Sequence, residues 1–259
     1  MTDRAPRSGH VAMEVVEGGV AVLRIDRPDK LNALTIPMLH DLRDAFRSLG
    51  GPAAVLTGTG RAFSAGDDLG ATEALEGEAV AELMHAFQDL TRTILATPFP
   101  VVAALNGLAV GGAAELVLCC DARVGCAGSD FLFPENGIGL TISNASSYLL
   151  PRILGSRALP LVLDGERIAG TRAHDLGLID YMVDPPEDVV PRAVEIVRRW
   201  VERGLATPFH LRLLRPPADA IEAALRRESG IGLEAWQSGA AAEGIRRFLA
   251  GRGDRPPRR

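Results

Sequence analysis

Between Asn106 and Asp121 the chain reads NGLAVGGAAELVLCCD, and this stretch constrains the fold more than any other. Just before it, Val101-Val102-Ala103-Ala104-Leu105 is a short apolar, partly β-branched run flanked by turn formers, the pattern of a buried strand. The strand leads into a turn, and Gly111-Gly112 then opens a segment of good helix formers, Ala113-Ala114-Glu115-Leu116. The first amides of a helix have no partner within it. With no Cβ at Gly112, a ligand oxygen can come close to the backbone, and the partial positive charge of a helix start favours an anion there. Glu115 follows about one turn later, so its carboxylate can project from the same face as the Gly112 amide. A free amide for a developing oxyanion, beside a carboxylate that moves protons, suits chemistry α or β to a carbonyl. The same residues also fit a plainer reading, a Gly-rich turn with a solvated glutamate behind it. The stretch has no G-x-x-x-x-G-K-[ST] phosphate loop, and Gly107, Gly111 and Gly112 lack dinucleotide-site spacing. Ala62-Phe63-Ser64-Ala65-Gly66 lacks the first glycine of a nucleophile elbow.

Around this centre, strands and helices alternate. Residues 11–16 and 20–25 read as a hairpin about Glu17-Gly18-Gly19, followed by a loop to Leu34 and a helix that Thr35 can cap, with Pro37 in its first turn. Residues 53–57 predict a strand, 58–69 a loop, 79–95 a helix, and 122–124 and 129–132 two more strands closed by a turn at 133–137. Strand, loop and helix recur, so the fold class is α/β in layers. Past Ala145 the pattern turns helical, with helices at 190–203, 218–227 and 231–248. These features divide the chain into a core at 11–189 and a helical region at 190–259, with loose ends at 1–10 and 251–259.

Net charge is −5, which gives no general case for nucleic-acid binding. The three cysteines, Cys119, Cys120 and Cys126, have no metal-type spacing, and the adjacent pair falls in an apolar helix; they read as reduced core residues of a cytoplasmic protein. No apolar run reaches the length of a membrane span and no signal-peptide core follows the first residues, so a soluble protein is expected. Lys30 is the only lysine in the chain.

Four stretches together resemble the crotonase superfamily, the relatives of enoyl-CoA hydratase and isomerase. They are Arg27-Pro28-Asp29-Lys30-Leu31-Asn32-Ala33-Leu34, Arg61-Ala62-Phe63-Ser64-Ala65-Gly66-Asp67-Asp68-Leu69, Asn106 through Leu116, and Phe133-Pro134-Glu135. Fainter echoes lie in Gly165-Glu166-Arg167-Ile168-Ala169, in residues 173–178, and in Glu243-Gly244 to Phe248. The resemblance implies a spiral of repeated ββα units followed by a C-terminal helical trimerisation region, giving a homotrimer or homohexamer. It implies an acyl-CoA substrate whose thioester carbonyl lies between the amides of Asp67 and Gly112, with no metal and no cofactor beyond the coenzyme A of the substrate. Glu115 and Glu135 match the two carboxylates that hydratases use, so the implied reaction is reversible addition of water to a 2,3-enoyl-CoA. Contacts to the CoA thioester are implied for Lys30, Leu31, Ala33, Ala65, Asp68, Leu69, Gly111, Pro134 and Gly139, with the Lys30 ammonium meeting phosphate.

The sequence also departs from the family pattern. Small neutral residues are usual at position 67, so an ionised Asp67 side chain is expected to point away from an enolate or to meet a cation. After Glu135 a Pro-Gly-rich turn is usual, whereas here Ser143-Asn144-Ala145-Ser146-Ser147 has lost its glycines, and the amide near Ala145 is expected to be displaced. That change leaves a double-bond isomerase or an acyl-CoA hydrolase open beside the hydratase, and a non-catalytic CoA-binding subunit beyond those. Ser64, Ser143, Asn144 and Tyr148 are expected to be turn or packing residues near the acyl pocket. No histidine matches a family motif, and His85 is expected at the surface or in packing.

Overall fold

The computed structural model describes residues 9–68 and 78–253. Residues 1–8 and 254–259, expected as loose ends, and Leu69, expected at the CoA thioester, lie outside the described residues. β1 (His10–Val15) and β2 (Val20–Asp26) form the expected antiparallel hairpin, joined by a 3-10 turn in which Gly18 and Gly19 take positive φ (78° and 74°). From β2 onward the pairing is parallel. β3 (Ala53–Gly58), β5 (Val101–Leu105), β7 (Ala122–Gly125) and β9 (Tyr181–Met182) extend one sheet in the order β1-β2-β3-β5-β7-β9. A second parallel sheet holds β4 (Ala62–Ser64), β6 (Leu108–Val110) and β8 (Phe131–Leu132), in the order β4-β6-β8. Each successive pair sends its first strand to the large sheet and its second to the small one. This generates the spiral.

Both faces of the large sheet are covered, which is why its central strands read as continuous apolar runs. Leu23, Leu56 and Ala103 point into the main core, against α1 (Ile36–Ser48) and α2 (Glu78–Ala96). Val22, Val55, Val102 and Val124 point the other way, against Ile196 and Val197 of α7 (Val189–Arg203). The Thr35 side chain accepts from the Met38 amide at 3.5 Å to start α1, which buries Met38, Leu39, Leu42 and Phe46.

Several elements differ from the sequence reading. β4 and β6 fall in stretches read as loop and turn, because three residues carry no usable period and their partners are distant in the chain. The helix after the paired glycines, α3 (Gly112–Val117), stops before Cys119 and Cys120, which are buried in the turn beyond it. After α4 (Ser146–Leu154), α5 (Ala158–Asp164), α6 (Gly170–Asp175) and α7, a helix not expected from the sequence appears, α8 (Thr207–Leu214). Its large apolar side chains Phe209, Leu213 and Leu214 are exposed, so it has no inward stripe to read. The break expected at 227–231 is absent: α9 runs unbroken over Ala218–Gln237, and the chain turns at Gly239 into α10 (Ala240–Gly253). Arg215 ties this region to the core. Its guanidinium bonds both carboxylate oxygens of Asp121 (2.7 and 2.6 Å) and donates to the Phe99 carbonyl at 2.9 Å.

Candidate active site

The segment after β4 and the start of α3 meet through glycines. Gly66 has φ +77°, and a Cβ there would lie 2.4 Å from the Val110 carbonyl and 3.5 Å from the Gly112 nitrogen, so the two backbones are in direct contact. Leu34 holds the first segment from behind, donating to the Gly66 carbonyl (2.7 Å) and accepting from the Asp68 amide (3.1 Å). In that bridge the Asp67 amide faces away from Leu34. The loop carrying Leu34 is fixed by buried Asn32, whose side-chain nitrogen donates to the carbonyls of Thr59 and Ala62 (2.9 and 2.8 Å). Asp67 and Gly112, whose amides the family resemblance pairs, are therefore neighbours.

Glu115 is buried in the first turn of α3, as the spacing required. Its Oε1 accepts from the Ser143 amide at 2.7 Å, and its Oε2 accepts from Ser143 Oγ at 2.7 Å and Asn144 Nδ2 at 2.9 Å. Ser143 and Asn144, expected to be turn or packing residues, are thus the groups that orient this carboxylate. Glu135, at the start of a 3-10 turn (Glu135–Ile138), is also buried, and its Oε2 has no hydrogen-bond partner. Its Oε1 lies 3.2 Å from where a Cβ on Gly111 would stand. Burial pushes the Glu115 carboxyl well above its ordinary range, with Glu135 adding to the push and the Ser143 donors opposing it. Burial likewise raises Glu135 to about 7, and the nearby Asp67 adds to it.

The Asp67 side chain corrects an expectation. It does not point away, and it meets no cation among the described residues: Oδ1 is buried without a partner, 2.8 Å from where a Cβ on Gly112 would be. The missing side chain of Gly112 leaves the room, and the nearby Arg27 guanidinium is bonded to Asp68 instead, at 2.7 Å. Burial raises Asp67 to about 6, its own amide opposing, which eases the placing of a third carboxyl in this site.

Asp67, Gly111, Gly112, Glu115, Pro134 and Glu135 line one cavity of about 60 Å³, with Ala65, Thr141 and Ser143 among the other walls. Two larger cavities, of about 610 and 700 Å³, lie beside α8 and contain none of these groups. Gly139 does not line the small cavity. It has φ 71°, and a Cβ there would meet the Ala240 carbonyl at 2.2 Å, so its glycine serves the approach of α10. Lys30 is exposed on a 3-10 turn, Leu31 is half-buried in left-handed backbone and Ala33 is buried; none of the three lines the cavity. Ser64 is a buried packing residue at the end of β4, donating to the Asn32 carbonyl at 2.7 Å, and Tyr148 stacks under the Arg152 guanidinium. His85 is exposed. The Ala145 amide, expected to be displaced, donates at 2.8 Å to Glu228 of α9. Glu228 escaped the sequence reading, although a signal was present. It falls on the same helix stripe as Ile221, Ala224 and Leu225, where a carboxylate is out of place unless it has partners. Among the described residues no cluster of three or more His, Cys, Asp or Glu could hold a metal ion, and no helix is long and apolar enough to cross a membrane.

A spiral of two parallel sheets, with Asp67, Gly112 and two buried glutamates around one cavity, is the architecture of the crotonase fold. The sequence model of the enoyl-CoA hydratase/isomerase family matches residues 16–249, and the chain belongs to that family. It is 36% identical over 263 residues to a probable enoyl-CoA hydratase of Rhodobacter capsulatus, covering 96% of this chain and 98% of that one. It is 34% identical over 194 residues to a crotonyl-CoA hydratase of Syntrophomonas wolfei, covering 73% and 74% of the two chains. The crystal structure of an enoyl-CoA hydratase from Bacillus halodurans has the same fold, with a TM-score of 0.84 at 23% identity over 91% of this chain and 98% of that one.

Proposed function

We propose that the protein is an enoyl-CoA hydratase, adding water reversibly across the 2,3 double bond of an enoyl-CoA thioester without a cofactor. The observation that carries this reading is the placement of two buried carboxyls, Glu115 and Glu135, in the same small cavity as Asp67 and Gly112. The thioester oxygen is held by the two amides, which stabilise the enolate as the hydroxyl adds to C3. Two carboxyls in a dry pocket share a proton: the ionised one takes the proton of the attacking water, and the protonated one delivers a proton to C2. Asp67, when neutral, adds no charge against the enolate. One observation favours a second reading. Glu115 already accepts three hydrogen bonds, whereas Glu135 has an unpartnered oxygen, an asymmetry that suits a single proton carrier and hence a double-bond isomerase. Incubation with a panel of enoyl-CoA and hydroxyacyl-CoA thioesters separates the readings by mass. Gain of one water supports the hydratase; a moved double bond at constant mass supports the isomerase; free CoA supports a hydrolase; and no reaction leaves a CoA-binding subunit.

The CoA contacts belong to the same proposal: Ala65, Gly111 and Pro134 at the thioester, with Leu31, Ala33, Asp68 and Leu69 along the arm and exposed Lys30 at its phosphates. Lys30→Ala should raise KM about fivefold at low salt and leave kcat in place, the effect of one exposed charge contact. An unchanged KM returns Lys30 to the solvated surface. A cytoplasmic location accords with the three free, buried cysteines.

We also propose a homotrimer or a pair of trimers. Ile245 is buried within the chain, but Leu205, Phe209, Leu213 and Leu214 leave an apolar surface open around α8, and Leu233 is 47% exposed on α9. Light scattering at micromolar protein should give at least three times the chain mass, and a monomer would overturn this part.

A further inference from the structure

The turn that orients Glu115 is itself held from the opposite side. Residues 143–147 join the 3-10 turn of Glu135 to α4, and Asn144 and Ala145 both take left-handed backbone there (φ 57° and 62°). L side chains seldom adopt that conformation, and it persists where surrounding contacts over-determine it. Two carboxylates supply the contacts. Glu115 receives Ser143 and Asn144, as described above. Glu228, 5% exposed on α9, receives the Ala145 amide on Oε2 and the Ser147 amide on Oε1, both at 2.8 Å. Ala145 is the cap position of α4 and has no side-chain acceptor, so Glu228 provides from another helix the cap that the turn's own sequence omits.

We propose that Glu228 is a positioning residue of this active site: by capping α4 it fixes the left-handed turn whose Ser143 and Asn144 hold Glu115. Both Glu228 oxygens accept from backbone amides, so it serves as an acceptor in place. It also acts through space, because its charge adds to the upward push on Glu115. The expected rate effects rest on the hydratase reading; the positional claim does not.

The test compares Glu228→Gln, Ser143→Ala and the double variant with wild type, using crotonyl-CoA. A glutamine keeps one acceptor oxygen but turns an NH2 toward the second amide, so the turn is released on one side. Each single variant should lower kcat about 10- to 100-fold with KM within about threefold of wild type. The double variant should lie within about threefold of the worse single one, because both act on Glu115 through the same turn. Amide hydrogen exchange in residues 143–147 should quicken at least tenfold in Glu228→Gln, a readout that needs no turnover. Unchanged kcat in folded Glu228→Gln, or a double variant equal to the product of the two losses, overturns the proposal. If Glu228→Gln does not fold, Glu228→Asp keeps the charge but withdraws it from at least one amide, and the same comparisons decide. Should the wild type hydrate no thioester, the hydratase reading falls by itself. In that case unaltered exchange at 143–147 still overturns the role of Glu228.

Discussion

Under the proposed hydratase mechanism, Glu115→Gln and Glu135→Gln should each lower kcat on the enoyl-CoA thioester that the enzyme hydrates by about 10²–10⁴-fold, the usual worth of a general acid or base, with CoA-thioester affinity near wild type. The paired amides are untouched by either change. At Glu135 the substitution is simple, because one carboxyl oxygen has no partner to lose. At Glu115 three donors face the carboxylate, so an incoming NH2 needs new acceptors. Ser143 Oγ can turn to accept, and Asn144 Oδ1, buried without a partner, becomes available when that amide flips. The glutamine can therefore sit where the glutamate sat, and the loss reports proton transfer. Together the two changes should fall far short of the product of the single losses, since both groups handle one water. A nearly active Glu115→Gln beside an inactive Glu135→Gln would sink the hydratase assignment in favour of the isomerase.

Glu135→Gln should also make the folded protein more stable at pH 8, on the order of 2–3 kcal/mol, while losing activity. The sign follows from the direction of the shift. Glu135 is raised from 4.5 to about 7 in the folded state. Below pH 4.5 the carboxyl is protonated both folded and unfolded, and its contribution is fully present. As pH rises toward 7 the unfolded chain ionises while the folded one keeps its proton, so stability is lost, and above pH 7 that loss is complete. Glutamine does not titrate, so the advantage of the variant should grow from near zero at pH 4.5 to its full size at pH 8. Chemical denaturation at both pH values and one protein concentration measures the gap. A gap that is the same at both would remove Glu135 as the titrating group.

What was legible in the sequence followed local rules. Val101–Leu105, the Thr35 cap and the one-turn spacing from Gly112 to Glu115 each depend on a few adjacent residues, and each stands where the pattern put it. The rest depends on contacts between distant segments. β4 exists because β6 runs beside it. Gly230 looks like a helix break, yet α9 continues through it and through Gly232, where a Cβ would come within 3.3 Å of Met84 and Thr141. The turn that carries Ser143 and Asn144 to Glu115 is bonded on its other side to Glu228, a glutamate more than eighty residues further along.

The order in which these pieces occur bears on when the protein becomes competent during its synthesis. The glycine pair, Glu115 and Glu135 are translated in the first part of the chain, and the two sheets that carry them can pair as their strands emerge. The back of the site comes much later. Glu228 closes the turn behind Glu115, and at Gly244 the α10 backbone lies so near Ile138 that a Cβ would stand 2.3 Å from its carbonyl. A nascent chain still lacking these segments carries both glutamates and the Ser143–Asn144 turn without Glu228 or the α10 backbone behind them.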